Sequence, residues 1–494
     1  MQTIQVISYI VLALYVLPLC YITIYCLLQF HLLITYCRTR RHEVEAPILN
    51  GSRPFVTIQL PIYNEQYVVN RLIDNITQLN YPKERFEIHV LDDSTDETVQ
   101  LVQTKVKEYE QKGFNIKHIR RSDRSGYKAG ALRDAMPYAK GEFIAIFDAD
   151  FLPKSSFLID TMAHFQNPDV GVVQTRWEHL NQDYSILTEL QAFQLNVHFT
   201  IEQRGRMAGN YLLQFNGTAG VWRRESIDSA GGWEADTLTE DLDLSYRAQL
   251  KGWEIVYLEN IVSPAELPVE INGLKSQQFR WMKGGAETAK KMLPTIWKSK
   301  LALNQKIHAS VHLLGSSVFL CVFCIGVFSV PLAFLIGGMS ISTHYFWLFF
   351  ISLLAVIQVY YVANVGNAWP KESRIKMLVK FIFLFPIFLS LSMGLSLHNS
   401  IAVLQGLVGK KSAFIRTPKF NIKTITDKLN SHSYIQKKIS KITILEGLFA
   451  LYFIIGLIGS IYAESYYFIL FHALLAMGYS TIFILSIKHL SIKS

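Results

Sequence analysis

The chain opens on a run from about Val6 to Tyr36 that is almost without charge and ends in Arg38, Arg40 and Arg41. A bilayer's hydrocarbon core is about 30 Å thick and a helix rises about 1.5 Å per residue, so such a run is long enough to cross it. The run is longer than a signal-peptide core and has no small-residue cleavage site, so it reads as a retained span. The basic cluster follows it, which places the N-terminus outside and residue 38 onward in the cytoplasm. Apolar runs return at Val311–Ile336, Tyr345–Val365, Met377–Val408, Ile444–Tyr462 and Tyr466–Ile487. The first two and last two each fit one span of roughly 20 residues. Met377–Val408 has room for two short ones. The loop after it, Gly409–Lys441, carries nine Lys and Arg against Asp427, and the WPKESRIK segment before it is basic too. Both are expected in the cytoplasm, which requires an even number of crossings between them. About seven spans are expected in all, with five plus an interfacial helix as the alternative.

Composition agrees: hydrophobic residues make up 50% and charged ones 18%, with mean hydropathy +0.21. That excludes a disordered chain and an ordinary soluble one. The net charge of +9 reads as basic loops at a membrane rather than a nucleic-acid surface. No nucleic-acid partner is expected. The five cysteines lie in or beside apolar stretches and show no disulfide or zinc spacing.

Residues 42–300 contain no run long enough to cross a membrane. The short apolar runs Val56–Leu60, Phe86–Leu91, Phe143–Phe147 and Val170–Val173 alternate with helical patterns at Glu65–Leu79, Glu97–Lys112 and Lys128–Tyr138. This predicts an α/β domain with a mostly parallel sheet, its ligands at the carboxyl ends of the strands.

Polar motifs follow those strands. LPIYNE places Tyr63, Asn64 and Glu65 at a strand end, where Asn64 and Glu65 open a helix able to receive an anion; an ordinary turn reads equally from these residues. LDDSTDET puts Asp92 and Asp93 at the next strand end, beside helix-capping residues. In FDADF, Asp148 and Asp150 are two residues apart on an extended segment, so both carboxylates can reach one hard cation such as Mg²⁺. DRSGYKAGAL sets Lys128 between Gly126 and Gly130, a loop open to a diphosphate or simply a solvated helix start. LTEDLDL begins a helix with Glu240 and Asp241, where Thr239 can cap; an acidic first turn otherwise matches the helix dipole. SQQFRWMKGG carries Gln277, Arg280, Trp281 and Lys283 on an amphipathic helix, suited to the membrane interface and equally to a diphosphate and a sugar ring. His164, His179 and His198 lack metal-ligand spacing and read as structural, and no GxSxG or GxxxxGK[ST] motif is present.

Taken in order, LPIYNE, LDDST, GYKAGAL, FDAD, FNGTAGVWR, TED and QQFRW resemble the membrane-embedded family 2 glycosyltransferases, which include cellulose and hyaluronan synthases. The fuller wording, with HFTIEQ, GGW and LKGW, looks closest to the cellulose-synthase-like A and C proteins, the glucomannan, mannan and xyloglucan-backbone synthases. The resemblance implies a GT-A, Rossmann-like catalytic domain inserted between membrane helices. Its parts would be a first span (1–41), the catalytic domain (42–270), interfacial helices with QxxRW (271–307), a membrane bundle (308–409), a basic gating loop (410–442) and C-terminal spans (443–494). It implies that Tyr63, Asn64, Glu65, Asp92 or Asp93, Lys128, Asp148, Gln277 and Arg280 hold the nucleotide sugar, and that Asp148 and Asp150 hold Mg²⁺ or Mn²⁺. Asp241, with Glu240 beside it, resembles the base that deprotonates the acceptor. Trp281 and FNGT, Phe215, Asn216, Gly217 and Thr218, match the acceptor side, although FNGT lacks the Cys of the bacterial FCGS version. FIRTPK, with Thr417 and Lys419, resembles the loop that closes over the nucleotide. The implied activity is processive, inverting transfer from UDP-glucose or GDP-mannose to a β-1,4-linked polysaccharide at a plasma, inner or Golgi membrane. A non-processive transferase with a lipid acceptor is the alternative.

Overall fold

The computed structural model describes residues 2–39, 47, 53–339, 347–366, 373–412, 414–424, 427 and 439–490. Arg40, Arg41, Trp369–Glu372, Lys428, Lys437 and Lys438, on which part of the charge reasoning rests, lie outside the described residues.

The central domain is built on one sheet of β1 (Val56–Ile62), β2 (Phe86–Asp92), β3 (Ile116–Ile119), β4 (Phe143–Ile146), β5 (Val170–His179), β6 (Gly220–Arg223) and β7 (Glu254–Ala265). Their order is β3-β2-β1-β4-β6-β5-β7. The first four strands pair parallel, as do β5 and β7, whereas β6 runs antiparallel to both β4 and β5. The sheet is therefore mixed. β6 enters it as the return stroke from the FNGT turn, which bends the chain back beside β4. β2 is buried at every position and β1 at all but one, because helices cover both faces, and this is why parallel strands read as unbroken apolar runs.

One face packs on the helix Val69–Ile76, whose Val69, Leu72, Ile73 and Ile76 recur at the spacing of one helical stripe and are all buried. Truncating Leu72 to Ala would cost about 2–5 kcal/mol. The other face carries Leu132, Trp222, Trp233, Leu244 and Tyr257. Ile62 pairs with Asp92 and Gln59 with Ile146, so β1, β2 and β4 end along one edge. That register gathers Tyr63, Asp93 and Asp148 without any further device.

Among the described residues, five helices are long and apolar enough to cross a membrane: Thr3–Thr39, Leu303–Gly338, Arg374–Gly394, Lys441–Tyr462 and Tyr466–Lys488. An apolar helix at Phe350–Gly366 is shorter. Large apolar side chains such as Leu17, Phe383 and Ile455 point outward from them, as lipid-facing residues do. Among the described residues the expectation of about seven spans is corrected at one place. Met377–Val408 does not form two spans: its helix ends at Gly394, and the second half, Ser396–Val408, has 13 residues. At about 20 Å that half is shorter than the hydrocarbon core. It is clad in protein, with Asn399 and Ser400 buried and His398 Nε2 bonded to the Lys275 carbonyl at 3.0 Å, on the helix Ile271–Lys298. The first helix, Gln2–Thr39, has 38 residues, about 57 Å, so it outruns the bilayer. Its far end packs Leu32, Leu33 and Tyr36 against Val197 and Ile201 of the central domain.

Candidate functional site

At the carboxyl edge of β1, β2 and β4 lies a cavity of about 180 Å³. Tyr63, Glu65, Asp93, Lys128, Asp148 and Asp150 line its floor, Glu240, Asp241, Gln277, Arg280 and Trp281 its far wall, and Thr417 and Lys419 its roof. Asn216 and Gly217 stand between floor and wall. Four of the residues expected at the site are placed elsewhere. Asn64 does not open a helix: it adopts φ 54°, and the helix begins only at Val69. Its amide instead clips two loops together, its N–H donating to Ser94 Oγ (2.8 Å) and its Oδ1 accepting from Thr95 N (2.8 Å). Asp92 is buried, with Oδ2 on His118 Nε2 (2.8 Å) and Oδ1 accepting from Ser94 N (2.9 Å). Burial alone would raise its pKa, but these bonds hold it below the usual carboxylate range, so it is a spent group inside the fold. Asp93 takes the outward place, its carboxylate bound by Arg121 at 2.5 and 3.1 Å. Phe215 is wholly buried among Trp222 and its neighbours. Thr218 is equally buried, and its Oγ1 accepts from Asp148 N (2.8 Å), which fixes the backbone of that aspartate.

The two aspartates after β4 each meet an ammonium group. Lys128 Nζ lies 2.5 Å from Asp148 and donates to the Gly217 carbonyl (2.8 Å), while Lys419 Nζ lies 2.7 Å from Asp150. Asp150 Oδ2 also accepts from Glu266 N (3.1 Å). Both groups are hard anionic oxygens of the kind Mg²⁺ or Mn²⁺ takes, and a cation on them would displace the two ammonium groups from the carboxylates. A separate carboxylate cluster of Glu234, Asp236 and Asp243 is filled by Lys291, which bonds all three.

Asp241 sits in the first turn of the helix Glu240–Leu250. Thr239 does not cap that helix as its sequence suggested, since its hydroxyl pairs with Thr288 (3.1 Å). Burial and the adjacent Glu240 carboxylate push Asp241 up to about 7, and burial raises Glu240 as well, against the pull of Lys128. A carboxylate with that proton affinity can take a proton from a hydroxyl and release it near neutral pH. Gly217, at φ 80°, makes room for it: a Cβ there would stand 2.9 Å from Asp241 Oδ2.

Gln277, Arg280 and Trp281 are spaced three and four apart on Ile271–Lys298 and so share one face. The roof reaches them through Phe414, whose ring lies 4.8 Å from the Arg280 guanidinium and stacks on Tyr127 at 5.6 Å. Two basic residues absent from the expected set complete the cavity. Arg416 pairs with Glu65 at 2.6 Å, and the Arg124 guanidinium lies 3.2 Å from the centre of the Tyr63 ring. Burial raises Glu65 to about 7 despite Arg416. The only sequence sign of either was position: Arg124 falls in DRSGYKAGAL and Arg416 in FIRTPK.

A second cavity of about 310 Å³ shares Trp177, Asn216, Asp241 and Trp281 with the first. It continues to Tyr25, Phe319 and Tyr360 on three of the apolar helices. Asp241 thus stands on the wall common to a charged chamber and an aromatic one that leads toward the membrane helices.

Residues 53–284 match the family model described as Glycosyltransferase like family 2. The chain is 35% identical over 391 residues to a probable glucomannan 4-beta-mannosyltransferase 4 of Oryza sativa subsp. japonica, covering 77% of this chain and 66% of that protein. To glucomannan 4-beta-mannosyltransferase 9 of Arabidopsis thaliana it is 41% identical over 265 residues, covering 52% and 50%. The matched region spans about half the length of most of the curated relatives it resembles. Among solved structures, the mannosyltransferase PcManGT from Pyrobaculum calidifontis, in complex with GDP-Man and Mn2+, superposes with a TM-score of 0.51 at 21% identity over 72% of this chain and 100% of its own. That likeness is one of fold. The mixed seven-stranded sheet belongs to the GT-A-like class that the sequence resemblance implied.

Proposed function

We infer what the chain does from one premise: residues 53–284 form a glycosyltransferase family 2 domain, homologous to cellulose synthase-like glucomannan 4-beta-mannosyltransferases at 35–45% identity. The function we propose is processive, inverting transfer of hexosyl units from a nucleotide sugar to a growing β-1,4-linked polysaccharide, with the product led into the membrane helices. The names of the relatives favour a mannosyl donor, GDP-mannose, over UDP-glucose. The observation that carries the reading is Asp241, poised on the wall between the two cavities.

In the charged cavity the diphosphate faces Lys128 and Arg280, and the nucleoside lies along Tyr63 and Asp93. Mg²⁺ or Mn²⁺ on Asp148 and Asp150 would screen the charge of the leaving diphosphate. Asp241 takes the proton of the acceptor hydroxyl as that oxygen attacks the anomeric carbon from the opposite side, which inverts its configuration. Lys128 and Arg280 meet the charge that develops on the departing phosphate. Trp281 offers a ring face to the C–H bonds of the acceptor sugar. The roof, through Arg416 to Glu65 and Lys419 to Asp150, excludes water while the donor is held. The N-terminus lies outside and the catalytic domain in the cytoplasm, the orientation that the basic cluster after the first apolar run favours.

The test is nucleotide release by purified, reconstituted protein with GDP-mannose and with UDP-glucose, each with Mg²⁺ or Mn²⁺, and digestion of any polymer by β-1,4-specific hydrolases. Release with one donor, together with digestible mannan or glucan, is the expected result. Single-sugar products on lipid would replace the polymer reading by the lipid-acceptor alternative.

A further inference from the structure

His198 read from sequence as a structural histidine, and HFTIEQ has no part in the mechanism above. In the structure His198 begins a π-helical turn, His198–Glu202, in which Gln203 N–H reaches back to the His198 carbonyl. Such turns insert one extra residue into a helix and rotate the side chains that follow. Here the turn brings three polar groups into line. His198 Nδ1 lies 2.8 Å from Glu202 Oε2, and Nε2 lies 2.8 Å from Asn216 Oδ1. Behind them Gln29 Nε2, on the first membrane helix, donates to Glu202 Oε1 at 2.7 Å.

Burial opposes the charge of Glu202, but the His198 hydrogen bond holds its pKa down to about 2, which favours the carboxylate. Its oxygens therefore accept from Gln29 and His198, and His198 Nδ1 must carry a proton. Nε2 is left with two options. If it also carries a proton, it donates to Asn216 Oδ1 and the amide turns its N–H₂ away. If it is bare, it accepts from the N–H₂, and the amide turns its carbonyl away. In the structure Asn216 Oδ1 faces Nε2, and Asn216 Nδ2 is buried and without a partner where Asn216 lines both cavities. The other titratable or charged groups around this second cavity are Glu202, Arg206, His312, Asp241, Tyr25 and Tyr360.

We propose that His198 is a positioning residue for the acceptor sugar: its Nε2 holds Asn216 Oδ1 so that the amide N–H₂ is presented beside Asp241, and Glu202 and Gln29 hold His198 in place. With the donor presented, the amide can bond the oxygen of a sugar hydroxyl whose own proton points at Asp241. This rests on the transfer activity proposed above and names the residues that fix acceptor geometry within it.

The experiment uses the full chain, reconstituted, with β-1,4-linked mannose and glucose hexasaccharides as acceptors, reading transfer and donor hydrolysis separately between pH 6 and 8.5. Nucleotide binding reports folding of each variant. His198→Gln is expected to raise acceptor KM about tenfold with donor KM unchanged. The ratio of transfer to donor hydrolysis falls in that variant at every pH tested, because a poorly placed acceptor leaves the donor to water. Glu202→Gln, of nearly the same shape, raises acceptor KM in the same direction and by less, because the ring keeps a weaker partner in place of the carboxylate. Unchanged acceptor KM and an unchanged ratio of transfer to hydrolysis in a nucleotide-binding variant overturn the proposal. So does a parallel rise of both KM values, the mark of a merely structural residue. A wild-type protein that transfers to neither acceptor overturns the activity itself, whereas normal wild-type transfer with unaltered variants counts against His198 alone.

Discussion

The floor and the roof of the charged cavity are built by different physics. The floor residues Tyr63, Asp93 and Asp148 follow three parallel strands whose register ends them together, so backbone hydrogen bonding alone sets their spacing. The roof, Phe414 to Lys419, contributes no strand or helix and is held over the floor by side chains: Arg416 on Glu65, Lys419 on Asp150, and Phe414 on Tyr127. The difference teaches that the floor is a rigid platform for chemistry, whereas the roof is tied by contacts that substrate, pH or a single substitution can exchange.

The largest effect should come where neither part can compensate. Asp241→Asn removes the base and is expected to lower transfer by about 10²–10⁴-fold with nucleotide affinity intact. In the wild type the rate should rise with pH and level off above about 7, since Asp241 must be ionised to act; below that, each pH unit costs about tenfold. A pH–rate profile without that limb would break the assignment. Next is Gly217→Ala, a floor-side change whose Cβ presses on Asp241 Oδ2 and whose φ of 80° disfavours any side chain. Displacing the base by a fraction of an ångström should cut kcat by about 10²-fold while donor KM changes little.

Arg416→Met probes the roof. It is expected to weaken nucleotide affinity about tenfold at pH 8, measured by calorimetry, and much less at pH 6. The sign follows from Glu65, raised to about 7: above that pH it is ionised and Arg416 binds it, and below it the wild type has already lost the pair. An effect equal at both pH values would show that the roof is held by something else. The smallest effect on turnover is expected from Asp92→Asn, which should leave kcat and KM within about twofold. It should lower unfolding stability by about 1–3 kcal/mol, through the lost His118 pairing. A large loss of nucleotide binding there would return Asp92 to the floor.

The sequence made the floor legible because its signals are local. Apolar runs ending in YNE, DDS and DAD announce strands with polar tips, and the strands run at β1, β2 and β4 as their patterns predict. It overreached at Asn64, where a helix start was read four residues early because the φ-positive turn leaves no apolar period to break. It could not choose between Asp92 and Asp93, since alternation places neighbours on opposite faces but does not say which face is the cavity. The reading of two spans in Met377–Val408 failed for a related reason: hydropathy cannot distinguish a segment covered by lipid from one covered by protein, and Ser396–Val408 is the latter.

What the sequence determined by itself was a membrane-embedded chain with an α/β insert, the family its motifs resemble, and most of the side chains around the cavity. Those follow from residue type and short-range periodicity, which act within a turn or a strand. The tertiary structure decided which carboxylate faces the ligand, that Lys419 closes on Asp150 from 269 residues away, and that His198 stands behind Asn216. These depend on partners brought together only by folding. A charged group's role is set by what pairs with it and how far water is excluded, and neither leaves a trace along the chain.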